Sequence, residues 1–298
     1  MTSPGLHKQR GVALVIVLWI LLLITISTGA YTLMARMDTL EAHTVLSGTK
    51  ARLAAEAGIN LAILSLQDPN EEAQLIPDGR SYVVPYQEMM VEVQVTDERG
   101  KLDINRADEA TLINLFSNHG LDESDSQLLA AAVLDWVDAD EMERVNGAEL
   151  GAYEAAGLQV GPGNRRFIMV EEILQVLGMP WELYKRMEPG MTVYSGAGVP
   201  DPAYAPVEAL MALPEMTEDE ALNFVEERHS QETLDGTGPA LPTGEVAMAR
   251  GKGLTYSILA KATLPNGVWD QVEATIRMGQ SSDGQPYTVL RWREGFHH

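Results

Sequence analysis

The chain has 298 residues, 43 Asp and Glu against 21 Lys and Arg, a formal net charge of −22 and no cysteine. That balance argues against nucleic acid as a partner, because phosphate binding depends on clustered Lys and Arg. Without cysteine the chain has no disulfides, thiol nucleophiles or thiolate metal sites.

Residues 1–10 form a leader ending in Lys8-Gln9-Arg10, and Gly11 then meets an uncharged stretch over 12–35. As a helix that stretch measures about 36 Å, enough for a hydrocarbon core of about 30 Å. Lys8 and Arg10 lie before it, Arg36 and Asp38 after it. The positive-inside tendency keeps the leader cytoplasmic and sends the rest across the inner membrane into the periplasm, as a single-pass protein. A removed secretory signal has a shorter apolar core, followed by a small-residue cleavage site. Here the core is longer and the distinctive junction, Arg10-Gly11-Val12, precedes it. That junction resembles a prepilin-type signal, which a membrane peptidase cuts after the glycine, leaving Val12 as the new N-terminus. A plain signal anchor and a removed signal peptide are the alternatives. Loss of Lys8 and Arg10 with the leader would bring the charge from −22 to −24.

Counted from Val12, the fifth residue is Ile16, where most pilins and pseudopilins carry Glu. A carboxylate inside a bilayer is costly unless paired, and in these filaments its partner is thought to be the terminal ammonium of the subunit ahead. Ile16 suits a subunit with nothing ahead of it, at a filament tip, although a simple anchor also places an aliphatic residue there.

Leu40, Val45, Leu46, Leu53, Ala54, Ala57, Leu61 and Leu64 continue a helical pattern beyond the membrane, until Asp68-Pro69-Asn70 stops it. The alternation of Val91, Val93 and Val95 within 81–96 predicts a half-buried strand, part of a strand pair. Leu254, Tyr256, Ile258, Ala260 and Ala262 predict another. Pro265-Asn266-Gly267 turns it into a strand through Val272, Ala274 and Ile276, and a last strand covers 287–292. Everything between Asp103 and about Glu232 reads as helical. The expected fold is α+β: a long N-terminal helix packed on an antiparallel sheet, with a large all-α domain inserted between strands. The boundaries are a leader at 1–11, a transmembrane half-helix at 12–35 and helix with first strands at 36–100. An inserted acidic domain at 101–235 and closing strands at 236–298 follow.

Inside the insertion, 111–115, 172–176 and 209–213 each lead into a short turn and another helix. The pattern resembles helix-hairpin-helix modules of DNA-binding proteins. Asp122, Glu123 and Asp125 follow the first turn, however, and Glu215 replaces a turn glycine in the third. Those acids would repel phosphate, so the same geometry is expected to serve packing or protein docking. Gly251-Lys252-Gly253 lacks the spacing of a phosphate loop and reads as a turn before a strand.

The densest polar run is 135–149. Asp135 and Asp138, three residues apart, share a face at a helix end, and Asp140, Asn146 and Glu149 follow on a Gly-containing loop. Hard oxygens without His or Cys suit Ca²⁺. The spacing is not that of an EF-hand, since Met142 and Glu143 occupy the third-ligand and glycine positions. A solvated acidic loop or helix-end caps are the alternative readings. A single-pass metalloenzyme is disfavoured by the lack of H-E-x-x-H, of a nucleophile elbow and of His near the loop.

Taken together, the Gly11-Val12 junction, Ile16, Leu102-Asp103-Ile104-Asn105, Asp135-Trp136-Val137-Asp138-Ala139-Asp140, Asn146-Gly147-Ala148-Glu149, Gly163-Asn164-Arg165 and 170–179 resemble the K family of type II secretion minor pseudopilins. The resemblance implies a non-enzymatic subunit, methylated at its new terminus after processing, at the tip of a short periplasmic filament that moves proteins through the outer membrane. It implies minor pseudopilins I and J, the other filament pseudopilins, the prepilin peptidase and the inner-membrane assembly platform as partners. It also implies Ca²⁺ at Asp135, Asp138, Asp140 and Glu149, with Asn146 joining them, while Glu143 has no counterpart. A minor pilin of a type IV pilus is the alternative, disfavoured by the acidic helical insertion.

Overall fold

The computed structural model describes residues 12–70, 73–231, 238–249, 251–279 and 284–295. The leader, Gly11 and the turn residues 281–283 lie outside the described residues.

The helix α1 runs unbroken over Val12–Leu66, 55 residues. Among the described residues it alone is long and apolar enough to cross a membrane. The threonine hydroxyls of its membrane half are paired: Thr28 and Thr32 each bond the carbonyl four residues back at 2.8 Å, and Thr25 bonds that of Leu22 at 2.8 Å. In hydrocarbon such a bond is the local way to satisfy a hydroxyl. Beyond the membrane Ala51, Ala54, Ala55, Gly58, Ile59, Ala62, Ile63 and Leu66 become buried, a stripe at spacings of three and four that faces the sheet.

In chain order the strands are β1 (Asp78–Tyr86), β2 (Met89–Asp97), β3 (Leu102–Asp103), β4 (Met191–Thr192), β5 (Thr255–Thr263), β6 (Trp269–Met278) and β7 (Tyr287–Glu294). Five of them form one antiparallel sheet in the order β1-β2-β5-β6-β7. The even alternation of valines in β2 and of Ile258, Ala260 and Ala262 in β5 places these side chains on one face with Val272, Ala274 and Ile276. That face closes on the α1 stripe as a single apolar core. Small residues bring helix and sheet close: a Cβ added at Gly58 would lie 2.6 Å from Val91 Cγ1.

The segment between β2 and β5 is built mainly of short helices, namely α2 (Glu109–Asn118), α3 (Glu123–Val137), α4 (Leu150–Ala155), α5 (Trp181–Met187), α6 (Val207–Leu210) and α7 (Glu218–Ser230). It is not helical throughout, as the sequence had suggested. Leu102 and Asp103 pair in parallel with Met191 and Thr192, a two-rung ladder that ties the two ends of the segment's main core together. The second of the three repeated segments is a 3-10 helix, Val170–Gln175, and a smaller apolar cluster gathers around Ala209, Leu210 and Phe224. The three turns do share a left-handed residue, Gly120 at φ 95°, Gly178 at 87° and Glu215 at 60°.

The opposite face of the sheet is ionic. Lys101 Nζ lies 2.9 Å from Glu98 and its ammonium donates to Ser257 Oγ, which donates to Glu98 at 2.6 Å. Arg293 bridges Glu273 at 2.6 Å and Glu188 at 2.8 Å, and Arg291 reaches Glu171. Glu171 and Glu188 belong to the helical segment, so charged pairs seat that segment on the face away from α1.

Candidate functional site

The acidic run lies where α3 ends. Asp122 caps the start of α3 by accepting from Asp125 N–H at 2.8 Å, and the apolar Leu129, Ala130, Val133 and Trp136 bury its inner face. Asp135 in the last turn is fully buried; Asp138 is the C-cap, its N–H bonded to Leu134 O at 3.1 Å. The following loop folds back over Asp135. Its Oδ2 accepts from Ala148 N–H at 2.9 Å and Arg144 N–H at 3.3 Å. Gly147 passes so close that a Cβ there would collide with Asp135 Oδ2. Glu149 then stands at the N-cap of α4 without making a cap bond, and it is only 6% exposed.

Positive charge comes from Arg144. Its Nε lies 3.1 Å from Asp135 Oδ1 and its Nη2 2.9 Å from Asp138 Oδ2. Even so, Asp135 Oδ1, Asp138 Oδ1 and both oxygens of Glu149 are buried without a hydrogen-bond partner. Buried carboxylate oxygens are normally satisfied, so Asp138 Oδ1 and the two Glu149 oxygens, which lack even an ion pair at that atom, are an unmet demand for a donor or a cation. Burial first, and then the neighbouring Asp135, Asp138, Asp140 and Glu141, push the Glu149 carboxyl above the ordinary glutamate range. Burial likewise raises Asp135, against the two N–H groups that it accepts from and with Asp138 adding to the rise.

The structure brings Asp135 and Asp138 together on Arg144, with Glu149 close enough for both to raise its carboxyl. Asp140 and Asn146 stay exposed, Asp140 Oδ1 accepting from Met142 N–H at 2.9 Å and Asn146 adopting φ 67°. Among the described residues no group of three His, Cys, Asp or Glu side chains is arranged so that it could hold a metal ion. The orphaned atoms of the loop are carboxylate oxygens with no soft ligand among them. Sequence reading missed Arg144, which is the lone base in 135–149 and was legible as such. It also missed Asn164, whose buried Oδ1 has no partner and whose φ is 46°. The loop carrying Asn164 abuts the end of α3, with Arg165 N–H on Trp136 O at 3.3 Å and Phe167 stacked on Trp136 at 5.7 Å.

A second functional surface is the outward side of α1. From Val12 to Leu46 its large apolar residues are 48% or more exposed, Ile16 at 53% among them.

Residues 89–196 match the family described as type II secretion system (T2SS), protein K. A type II secretion system protein K from Pectobacterium carotovorum subsp. carotovorum is 26% identical over 315 residues, spanning 92% of this chain and 90% of its own length. A protein of the same description from Klebsiella pneumoniae is 29% identical over 204 residues, 61% of this chain and 62% of its own. In fold the chain is similar to one in the crystal structure of the GspK-GspI-GspJ complex from the enterotoxigenic Escherichia coli type 2 secretion system. That likeness has a TM-score of 0.58 at 17% identity and covers 86% of this chain and all of the other.

Proposed function

We propose that the chain is a minor pseudopilin of the type II secretion system protein K family and that it caps the tip of the pseudopilus together with minor pseudopilins I and J. The observation that carries this reading is the bulk of the helical segment seated on the sheet face away from α1. A filament grows by stacking α1-type helices. A subunit bearing such a mass beyond its helix–sheet core leaves no room for another above it. Ile16 agrees, since a subunit without a predecessor has no ammonium for a buried carboxylate to neutralise. The similar chain of known fold comes from a complex with GspI and GspJ, which makes those two the partners of choice. The role is structural: the filament pushes exported proteins outward, and this subunit is its leading surface.

Processing belongs to the same reading. The peptidase cut falls between Gly11 and Val12, which makes Val12 the new terminus and keeps the apolar stretch that follows on the mature chain. Intact mass of the membrane-extracted protein reads the cut directly, and a start at Met1 or beyond residue 30 contradicts it.

Ca²⁺ is the cation that the loop would hold, through Asp135, Asp138 and Glu149, with Asp140 and Asn146 completing the oxygen set. Bound there it would supply the positive charge that the orphaned oxygens lack and tie the end of α3 to the start of α4.

End-labelling tests the tip position. The chain has no cysteine, and Val145 is 86% exposed, so Val145→Cys accepts a single gold label. On sheared pseudopili the gold is expected at one end only; gold along the shaft would overturn the reading.

A further inference from the structure

The turn Gly251-Lys252-Gly253, which leads into β5, is held in place by its surroundings. Gly251 O accepts from Arg99 Nη2 at 3.0 Å and from the Tyr204 hydroxyl at 3.3 Å, and Gly253 O accepts from the Tyr256 hydroxyl at 2.9 Å. A side chain does not fit at 253, because a Cβ there would collide with Asp97 Oδ2. The turn so fixed forms one wall of a cleft of about 460 Å³, lined also by Glu98, Tyr194, Ser195, Thr255 and Arg277. On the ionic face of the sheet Lys101, Arg291 and Arg293 each pair with an acid. Arg277, on the same face, does not: its Nε stands 3.5 Å from Thr255 Oγ1, and among the described residues no carboxylate reaches its guanidinium. The acids around the cleft are already engaged. Asp97 pairs with Arg99 at 2.8 Å, and Glu98 pairs with Lys101 at 2.9 Å and accepts from Ser257 at 2.6 Å. In a chain of net charge −22, one guanidinium is thus left open beside the Lys252 ammonium and the hydroxyls of Tyr194 and Ser195.

We propose that this cleft docks an acidic segment of a partner protein, one side-chain carboxylate of which takes the open side of the Arg277 guanidinium. The planar fork of an arginine matches a carboxylate with two parallel hydrogen bonds. Leu254, 69% exposed at the rim, offers an apolar contact to the residue beside that carboxylate. A lipid headgroup carries an anion too, but the cleft lies away from the bilayer. The β5–β6 turn rests on α1 toward its membrane half, with Asn266 Nδ2 on Ser47 Oγ at 3.3 Å. Thr255 is at the opposite end of β5, about 30 Å along nine residues of strand. The helix α1 runs the same way, since its Gly58 lies against Ala260 in the middle of that strand. This docking is independent of the tip position and of the acidic loop at the end of α3.

The test is fluorescence anisotropy of the full chain in detergent with a labelled peptide of alternating Glu and Leu, beside its counterpart of Gln and Leu. The Glu peptide is expected to bind more tightly than the Gln peptide, on the order of tenfold. Arg277→Gln is expected to remove that preference, and Arg106→Gln, at an exposed base outside the cleft, to keep it. Ser195→Asp, which sets an acid in the cleft and leaves Arg277 in place, is expected to act as Arg277→Gln does. Loss in both variants with unchanged melting midpoints traces the effect to the cleft and not to misfolding. Equal binding of the two peptides, or an undiminished preference in Arg277→Gln, would overturn the proposal. So would full displacement of the Glu peptide by an equal concentration of inorganic phosphate, which would leave a general anion site.

Discussion

Glu149 shows how a single side chain links the loop's chemistry to stability. Burial and neighbouring acids hold its carboxyl above the ordinary range. The folded chain therefore binds that proton more tightly than the unfolded chain does. Without a cation this group lowers stability as pH rises past the unfolded value and restores it as pH falls back through the raised folded-state value. Glu149→Gln should thus stabilise the chelator-treated protein at pH 7 by on the order of 1 kcal/mol, the cost of a buried unpartnered polar group. The advantage should fade toward about pH 4, where the unfolded glutamate is itself protonated. With saturating Ca²⁺ the order should reverse, because the parent gains about 2.7 kcal/mol at 100 times the dissociation constant and the variant loses a ligand. Denaturant melts at both pH values, with ion and with chelator, read the effect. A variant that is less stable than the parent at pH 7 in chelator contradicts the account. The pairing of Asp135 with Asp138 was legible because spacing of three at a helix end fixes a shared face. The role of Arg144 was not, although the residue stands out as the lone base of the run, since linear pattern gives no sign that a loop folds back over its own helix.

Between elements, the decisive contact is α1 on the sheet. At Gly58 the helix backbone is near β2: a Cβ would meet Val91 Cγ1 at 2.6 Å and Ala260 Cβ at 3.2 Å. Gly58→Val should force the helix outward and lower stability by about 1–3 kcal/mol, as overpacking does. The melting midpoint of the detergent-purified chain measures it, and an unchanged midpoint would mean that the interface is looser than described. The strands and hairpins were legible from period-two alternation and from Asn266-Gly267, where Gly267 does take φ 83°. The β1–β2 turn carried no such signal, since Gln87 adopts φ 56° in it. The β3–β4 ladder was invisible for another reason. Two-residue strands carry no period, and their partners lie far apart in sequence.

For the whole molecule, composition announced an acidic protein and the apolar run announced its membrane anchor. The seating of the helical segment on the sheet could not be read from the chain, because it rests on pairs such as Arg293 with Glu188, 105 residues apart. That seating separates a shaft half, α1 with its exposed apolar side, from a head that faces away. A tip subunit requires such a division: one surface joins neighbouring helices and the other meets no further subunit. The most direct test mixes the full chain with minor pseudopilins I and J in detergent and weighs the assembly by native mass spectrometry. One copy of each in a single complex is the predicted result. A chain that stays monomeric with both partners at roughly tens of micromolar, where even micromolar affinity would fill the complex, would contradict the account.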